Sequence, residues 1–282
     1  MIASSRKDEA LERLSNGIAQ LTSSEAWSTW LRMQARFHQY SFSNSLLILL
    51  QRSSATRVAG FQTWRRLGRV VRRGELAIWI LAPVTRRVAA ESDAESSETT
   101  KRVVVTFRPV PVFDLDQTEG EPLPEVCSRL TGDDPMGVYA GLVTVAESIG
   151  FTVEDHVFDG ETNGDWSQSL RRIRVEVNLA PAHPVKTLVH ELGHALLHVD
   201  IANRALKELE AESIAYVVCH AIGIESDDWS FGYVADWAGG GDQAIAAIKT
   251  AGARIQQTAE QILLGLDVAE LHLEEPAAGG EQ

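Results

Sequence analysis

The stretch TLVHELGHALLH at 187–198 sets His190 and His194 four residues apart, with Glu191 directly after the first. On a helix that spacing stacks two imidazoles one turn apart on a single face, where both can reach one ion. Glu191 is turned by about 100° from His190, which puts its carboxylate beside the ion but not among the ligands. The chemistry expected of such a set is zinc-dependent hydrolysis. The ion acidifies a water, Glu191 takes the proton, and the hydroxide attacks a carbonyl that the same ion polarises. Hydrolysis of a peptide bond is the reading. The plainer alternative is a core helix with hydrogen-bonded histidines, but two imidazoles and a carboxylate are costly to bury without a partner, and zinc supplies one.

A catalytic zinc needs a third protein ligand and an open position. One arrangement turns the chain at a glycine three residues after the second histidine and takes the ligand three residues further on. Those places hold Leu197 and Asp200, and without the glycine Asp200 is a poor ligand. The other draws on the next helix, where KELEAES offers Glu208 and Glu212 on one face, with Glu210 pointing elsewhere. Glu208 is assigned as the third ligand and Glu212 as the acid that orients a ligating histidine from behind. The reversed assignment stays open, and an exposed acidic helix face is the plain alternative. His198 is taken as a capping or surface histidine. Candidates to stabilise an oxyanion are Tyr233, Tyr216, His220 and His183, and the strand expected at 173–179 could pair with an extended substrate along its edge.

A second region carries different chemistry. GFQTWRRLGRVVRRGELAIWI interleaves Phe61, Trp64 and Trp79 with Arg65, Arg66, Arg69, Arg72 and Arg73, and Tyr40 and Asn44 upstream widen the platform. Arginines neutralise phosphates and aromatic faces accept stacked bases, a combination that suits single-stranded DNA better than a duplex. The net charge of −13 argues against such a partner only on average, because residues 28–90 hold eleven arginines and a single acid, Glu75. Against this stands a small domain whose aromatics are core and whose arginines are a solvated face.

The elements that must position these residues are legible in outline. Residues 7–50 repeat apolar positions at three and four, as helices do. ELAIWILAPVTRRVAA and KRVVVTFRPVPVF are rich in β-branched and aromatic residues and read as two strands joined by a mobile acidic loop at 91–100. A Pro- and Gly-punctuated acidic stretch at 117–134 reads as an interdomain linker. Next come a helix closed by Gly150, the half-buried strand near 173–179, and helices at 184–199 and 204–222, the last stopped by Gly223. The fold class is α+β in two domains, residues 1–116 and 135–265, with a tail at 266–282. No apolar run approaches the roughly 20 residues that span a bilayer, so no membrane is expected. The N-terminus has no secretory pattern, and two isolated cysteines, Cys127 and Cys219, suit buried thiols in a reducing cytoplasm.

YSFSNSLLILLQRSSATRVAGFQTWRRLGRVVRRGELAIWILAPV, VFDLDQTEGEPLP, HELGHALLH, KELEAESIAYVVCH and FGYVADWAG together resemble ArdC-like antirestriction proteins over residues 10–265, and the later blocks are also similar to the ImmA/IrrE metallopeptidases. The resemblance implies an N-terminal single-stranded-DNA-binding domain, helical with a small antiparallel sheet, joined to a zincin-like metallopeptidase domain. It implies a cytoplasmic protein of mobile elements that coats incoming single strands and counters restriction, with an unidentified protein or peptide as substrate. It carries the metal pair to His190 and His194, the base to Glu191 and the acidic ligand to Glu208. Two other functions are compatible with the residues: a DNA module with a structural or regulatory metal and no proteolysis, and an ImmA-type peptidase that cleaves a repressor.

Overall fold

The computed structural model describes residues 2–89, 100–123, 135–160, 162–176, 182–198, 203–224, 229, 231, 238 and 241–273. The acidic loop expected at 91–100 lies outside them except for Thr100, as do Cys127, Asp200, Tyr233, residues 124–134 of the expected linker and residues 274–282 of the expected tail. The chain divides into two compact units. One combines Met1–Gly17 with Leu46–Leu123, the other Ile18–Ser45 with Pro124–Gln282.

The first unit is built on the two strands expected from their β-branched content. β3 (Ile78–Ala89) and β4 (Thr100–Asp114) pair antiparallel from Ile78↔Val112 to Ala89↔Thr100, with a bulge between Val84 and Thr85. The short β1 (Val58–Ala59) extends that sheet at the Asp114 end. Asp114 is fully buried, and its Oδ1 accepts the backbone N–H groups of Thr56 and Arg57 at 2.9 and 3.1 Å while Oδ2 faces Arg52 at 3.4 Å. The carboxylate therefore ties the strand end to the segment before β1, replacing the water it lost. Helix α4 (Phe61–Arg66) leads into β2 (Arg69–Val71), which pairs with β5 (Thr118–Gly120). The start of the expected linker is thus a strand.

Helices dominate the second unit. α2 (Ser24–Arg36) starts at Ser23, whose hydroxyl accepts the Ala26 N–H, and buries Trp27 and Trp30, whose rings lie 4.8 Å apart. The Trp27 indole donates to Ser213 Oγ at 3.0 Å, which fixes α2 on α7 (Arg204–Ala221). Residues 18–45, assigned from sequence to the first domain, therefore pack with the later helices. The other N-terminal helices are α1 (Ile2–Gln20) and α3 (Phe42–Gln51). α8 (Gly241–Leu273) presents Gly252 to the Phe42 ring, where a Cβ would fall 2.3 Å from a ring carbon. Among the described residues no helix is long and apolar enough to cross a membrane.

A three-stranded sheet completes this unit in the order β6-β8-β7, formed by β6 (Thr152–His156), β7 (Gly164–Ser167) and β8 (Arg172–Glu176). β8 runs parallel to β6 and antiparallel to β7. The strand expected to offer a free edge is therefore the central one, its backbone already paired on both sides. The edges belong to β6 and β7, which the sequence reading did not identify. α5 (Pro135–Ser148) and α6 (Ala182–Leu197) pack beside the sheet. The chain closes α5 at Gly150 and α7 at Gly223, both in the left-handed region, and Ile224 N–H donates back to Cys219 O at 2.8 Å. A two-domain α+β architecture is what these elements form.

Candidate metal centre

α6 buries Val185, Leu188, Val189, Leu192 and Ala195, a stripe at helical spacing that leaves His190 and His194 on the flank facing α7 and β7. The two helices come close because residue 193 is glycine. A Cβ there would meet Ala211 Cα and Ile214 Cδ1 at 3.3 Å, tighter than ordinary contact. α7 begins at Asn203, whose side chain accepts the Leu206 N–H at 3.2 Å, and its first turns carry Glu208 and Glu212 to the histidines.

Three donor atoms converge. His190 Nε2 and His194 Nε2 are 3.1 Å apart, and Glu208 Oε2 lies 3.5 Å from the first and 3.6 Å from the second. Ligands about 2.05 Å from a tetrahedral zinc stand roughly 3.3 Å from one another, so the triangle has the size such an ion needs. These three residues form a group that could hold a divalent metal. Glu212 Oε2 accepts from His190 Nδ1 at 3.2 Å and its other oxygen meets Lys186 Nζ at 3.1 Å, which places it behind His190 and away from the triangle.

Burial pulls the His190 imidazole down, but hydrogen bonds to Glu208 and Glu212 outweigh it and raise the ring to about 9. The hydrogen bond from His190, first of all, holds the Glu208 carboxyl well below the usual range. Burial first, and the neighbouring His190 charge after it, lower His194. Glu191 is itself buried and rises to about 7, through desolvation first and the charges of Glu208 and Asp165 after it. A carboxyl in that range exchanges a proton near neutral pH, as a general base must.

The site opens into a cleft of about 870 Å³ whose walls are α6, α7 and the β7 edge, including Asn163, Gly164, Asp165 and Trp166. Gly164 presses against α6: a Cβ there would fall 2.5 Å from Thr187 Cγ2 and 3.2 Å from Glu191 Cγ. Trp166 stacks parallel to His194 at 6.0 Å. Of the oxyanion candidates, His183 lines the cleft. Tyr216 is buried and stacks on His220 at 3.9 Å, and neither belongs to the lining.

Sequence reasoning misplaced His198. It is buried, not a surface residue, and its Nδ1 lies 2.7 Å from His194 Nδ1 while its Nε2 lies 3.0 Å from Glu210 Oε2. Glu210 does point away from the triangle, into this buried contact. Cys219 is a buried thiol, pushed up to about 12 by desolvation.

The residues expected to touch DNA are scattered in character. Trp64 is 2% exposed and its indole donates to Phe113 O at 2.9 Å, so it is core and has no face to offer a base. Arg65, Arg66 and Arg73 are exposed. Arg69 bonds Thr118 Oγ1 and the Gly120 carbonyl, and Arg72 pairs with Glu75 at 2.8 Å. Tyr40 and Asn44 are half-buried and belong to the other unit. Phe61, 41% exposed and one turn before Arg65 on α4, does reach solvent.

Two family models match the chain: the N-terminal domain of anti-restriction factor ArdC over residues 3–113, and the IrrE N-terminal-like domain of the M78 peptidases over residues 141–219. An uncharacterized protein of Bacillus anthracis, pXO2-81, is 23% identical over 95% of this chain, which spans about half (53%) of that relative's length. Among solved structures, antirestriction protein ArdC from plasmid R388 is similar in its metal-free form (19% identity, 82% of this chain and 84% of that one, TM-score 0.46). Its Mn(II)-bound form is similar at 17% identity, 84% and 86% coverage and a TM-score of 0.47. With an ArdC N-terminal domain followed by an IrrE N-terminal-like domain, the chain is an ArdC-like protein.

Proposed function

We propose that this protein is an antirestriction-type, single-stranded-DNA-binding protein whose second domain is a zinc-dependent peptidase. The observation that carries the enzymatic half is the convergence of His190, His194 and Glu208 beside a buried Glu191 in an open cleft. A divalent ion bound there supplies Lewis acidity for a water and for the scissile carbonyl. The chain's own residues do the rest. Glu191 accepts the water's proton at its carboxylate and returns it to the leaving amine, a task its elevated proton affinity suits. Glu212 keeps the Nδ1 proton of His190 directed away from the ligand triangle. The β7 edge, in place of the central strand first considered, is the segment an extended peptide would pair with, next to Gly164 and Trp166.

The DNA half rests on the arginine-rich segment and on the ArdC domain match. With Trp64 in the core, Phe61 takes the stacking role, flanked by Arg65 and Arg66, with Arg73 as a further phosphate contact. The test pairs Glu191→Gln with wild type. Both should retain one zinc and bind a labelled oligothymidine with affinity that falls steeply in salt. Only wild type should cut a degenerate peptide library read by mass spectrometry. Library peptides left intact by zinc-loaded wild type would leave a metal-regulated DNA-binding protein instead, and salt-independent oligothymidine binding would remove the DNA half.

A further inference from the structure

We propose that His198 is a positioning residue for the metal site, held by Glu210 and Arg254, so that helix α8 sets the tautomer and aim of the His194 ring. This rests on reading His194 as a ligand.

The chain of contacts is continuous and lies on the side of His194 away from the cleft. His194 Nδ1 is 2.7 Å from His198 Nδ1, His198 Nε2 is 3.0 Å from Glu210 Oε2, and Glu210 Oε2 is 3.3 Å from Arg254 Nη2. The His198 and Glu210 side chains are fully buried. Arg254 Nη2 also donates to Leu197 O at 3.1 Å, in the last turn of α6, where carbonyls lack a partner within the helix. Glu210 directs all of its bonding through one oxygen, since Oε1 has no partner among the described residues.

Proton placement gives the chain a direction. A carboxylate is an acceptor only, so His198 must donate from Nε2 and present Nδ1 as a lone pair. His194 must then donate from Nδ1, which leaves its Nε2 lone pair facing His190 and Glu208, where an ion would sit. The opposite order would put a proton on His194 Nε2 and close the site. His190 reaches the same end through one acid, Glu212. His194 reaches it through two residues and an arginine that lies beyond the 141–219 domain match.

Side-chain geometry supplies the experiment. An asparagine at 198 places its amide oxygen where Nδ1 stood and keeps the acceptor for His194. A glutamine reaches the Nε2 position and keeps only the Glu210 contact. Zinc affinity of the full chain is measured by competition with a chromophoric chelator, alongside unfolding of each metal-free variant. His198→Asn should stay within about threefold of wild type, whereas His198→Gln and His198→Phe should each weaken zinc by 10- to 100-fold, the usual cost of losing such a support. Equal losses for Asn and Gln, or wild-type affinity in Gln and Phe, would overturn the proposal while leaving the metal site intact. A wild type that binds no zinc would overturn the metal reading, and this inference with it. Nitrogen-15 NMR of wild-type histidines gives an answer that needs no variant to fold: His194 protonated at Nδ1 and His198 at Nε2 supports the proposal, and the reverse refutes it.

Discussion

Zinc bound as proposed would have to displace a proton from His190, and that exchange would set how its affinity depends on pH. In the metal-free protein the ring titrates at about 9, because Glu208 and Glu212 outweigh the burial that lowers it. The raised value means that the protonated ring stabilises the metal-free fold fully below its ordinary range near 6.5, a contribution lost as pH rises through about 9. Zinc competes with that proton. His194 is held below its ordinary value and Glu208 is already ionised, so neither releases a proton on binding above neutrality. Glu191, at about 7, is largely ionised by pH 8. One proton should therefore leave per ion, and affinity should rise about tenfold between about pH 7.5 and 8.5, or about 1.4 kcal/mol, flattening above 9. Chelator competition across that window gives the slope, and calorimetry in buffers of differing ionisation enthalpy counts the proton. Glu212→Gln removes one of the negative charges that hold the proton, so its slope should flatten. A wild-type slope near zero or near two across that window would refute the reasoning.

Three further outcomes follow from packing. Gly193→Val adds bulk where even a Cβ stands 3.3 Å from Ala211 Cα, and should cost about 1–3 kcal/mol in thermal unfolding and weaken zinc binding by moving Glu208 away. Trp64→Ala empties a core position and should cost about 3–5 kcal/mol, whereas Phe61→Ala should leave stability unchanged and weaken oligothymidine binding. Arg65→Ala should lower the salt slope of that binding by about one, as expected for one lost phosphate contact.

The convergence of His190, His194 and Glu208 was legible in sequence because each part is local. Two histidines at helical spacing announce a face, and Glu208 and Glu212 share a second face on the helix that must follow. His198 was not legible, since its burial depends on Glu210 and Arg254, and Arg254 lies on α8, a helix with no sequence assignment of its own. Trp64 among arginines looks like a stacking residue until Phe113 is seen to accept its indole N–H. The order of strands was hidden as well. RIRVE alternates as any half-buried strand does, and β6 and β7 are too short and polar to reveal that they flank it on both sides.

The most direct test is a crystal of the zinc-loaded protein with anomalous diffraction at the zinc edge. The account predicts a single strong peak at about 2.0–2.2 Å from His190 Nε2, His194 Nε2 and a Glu208 oxygen, with Glu212 and His198 outside bonding distance. A peak bound to Glu212 in place of Glu208, or no peak between the two histidines, would contradict it.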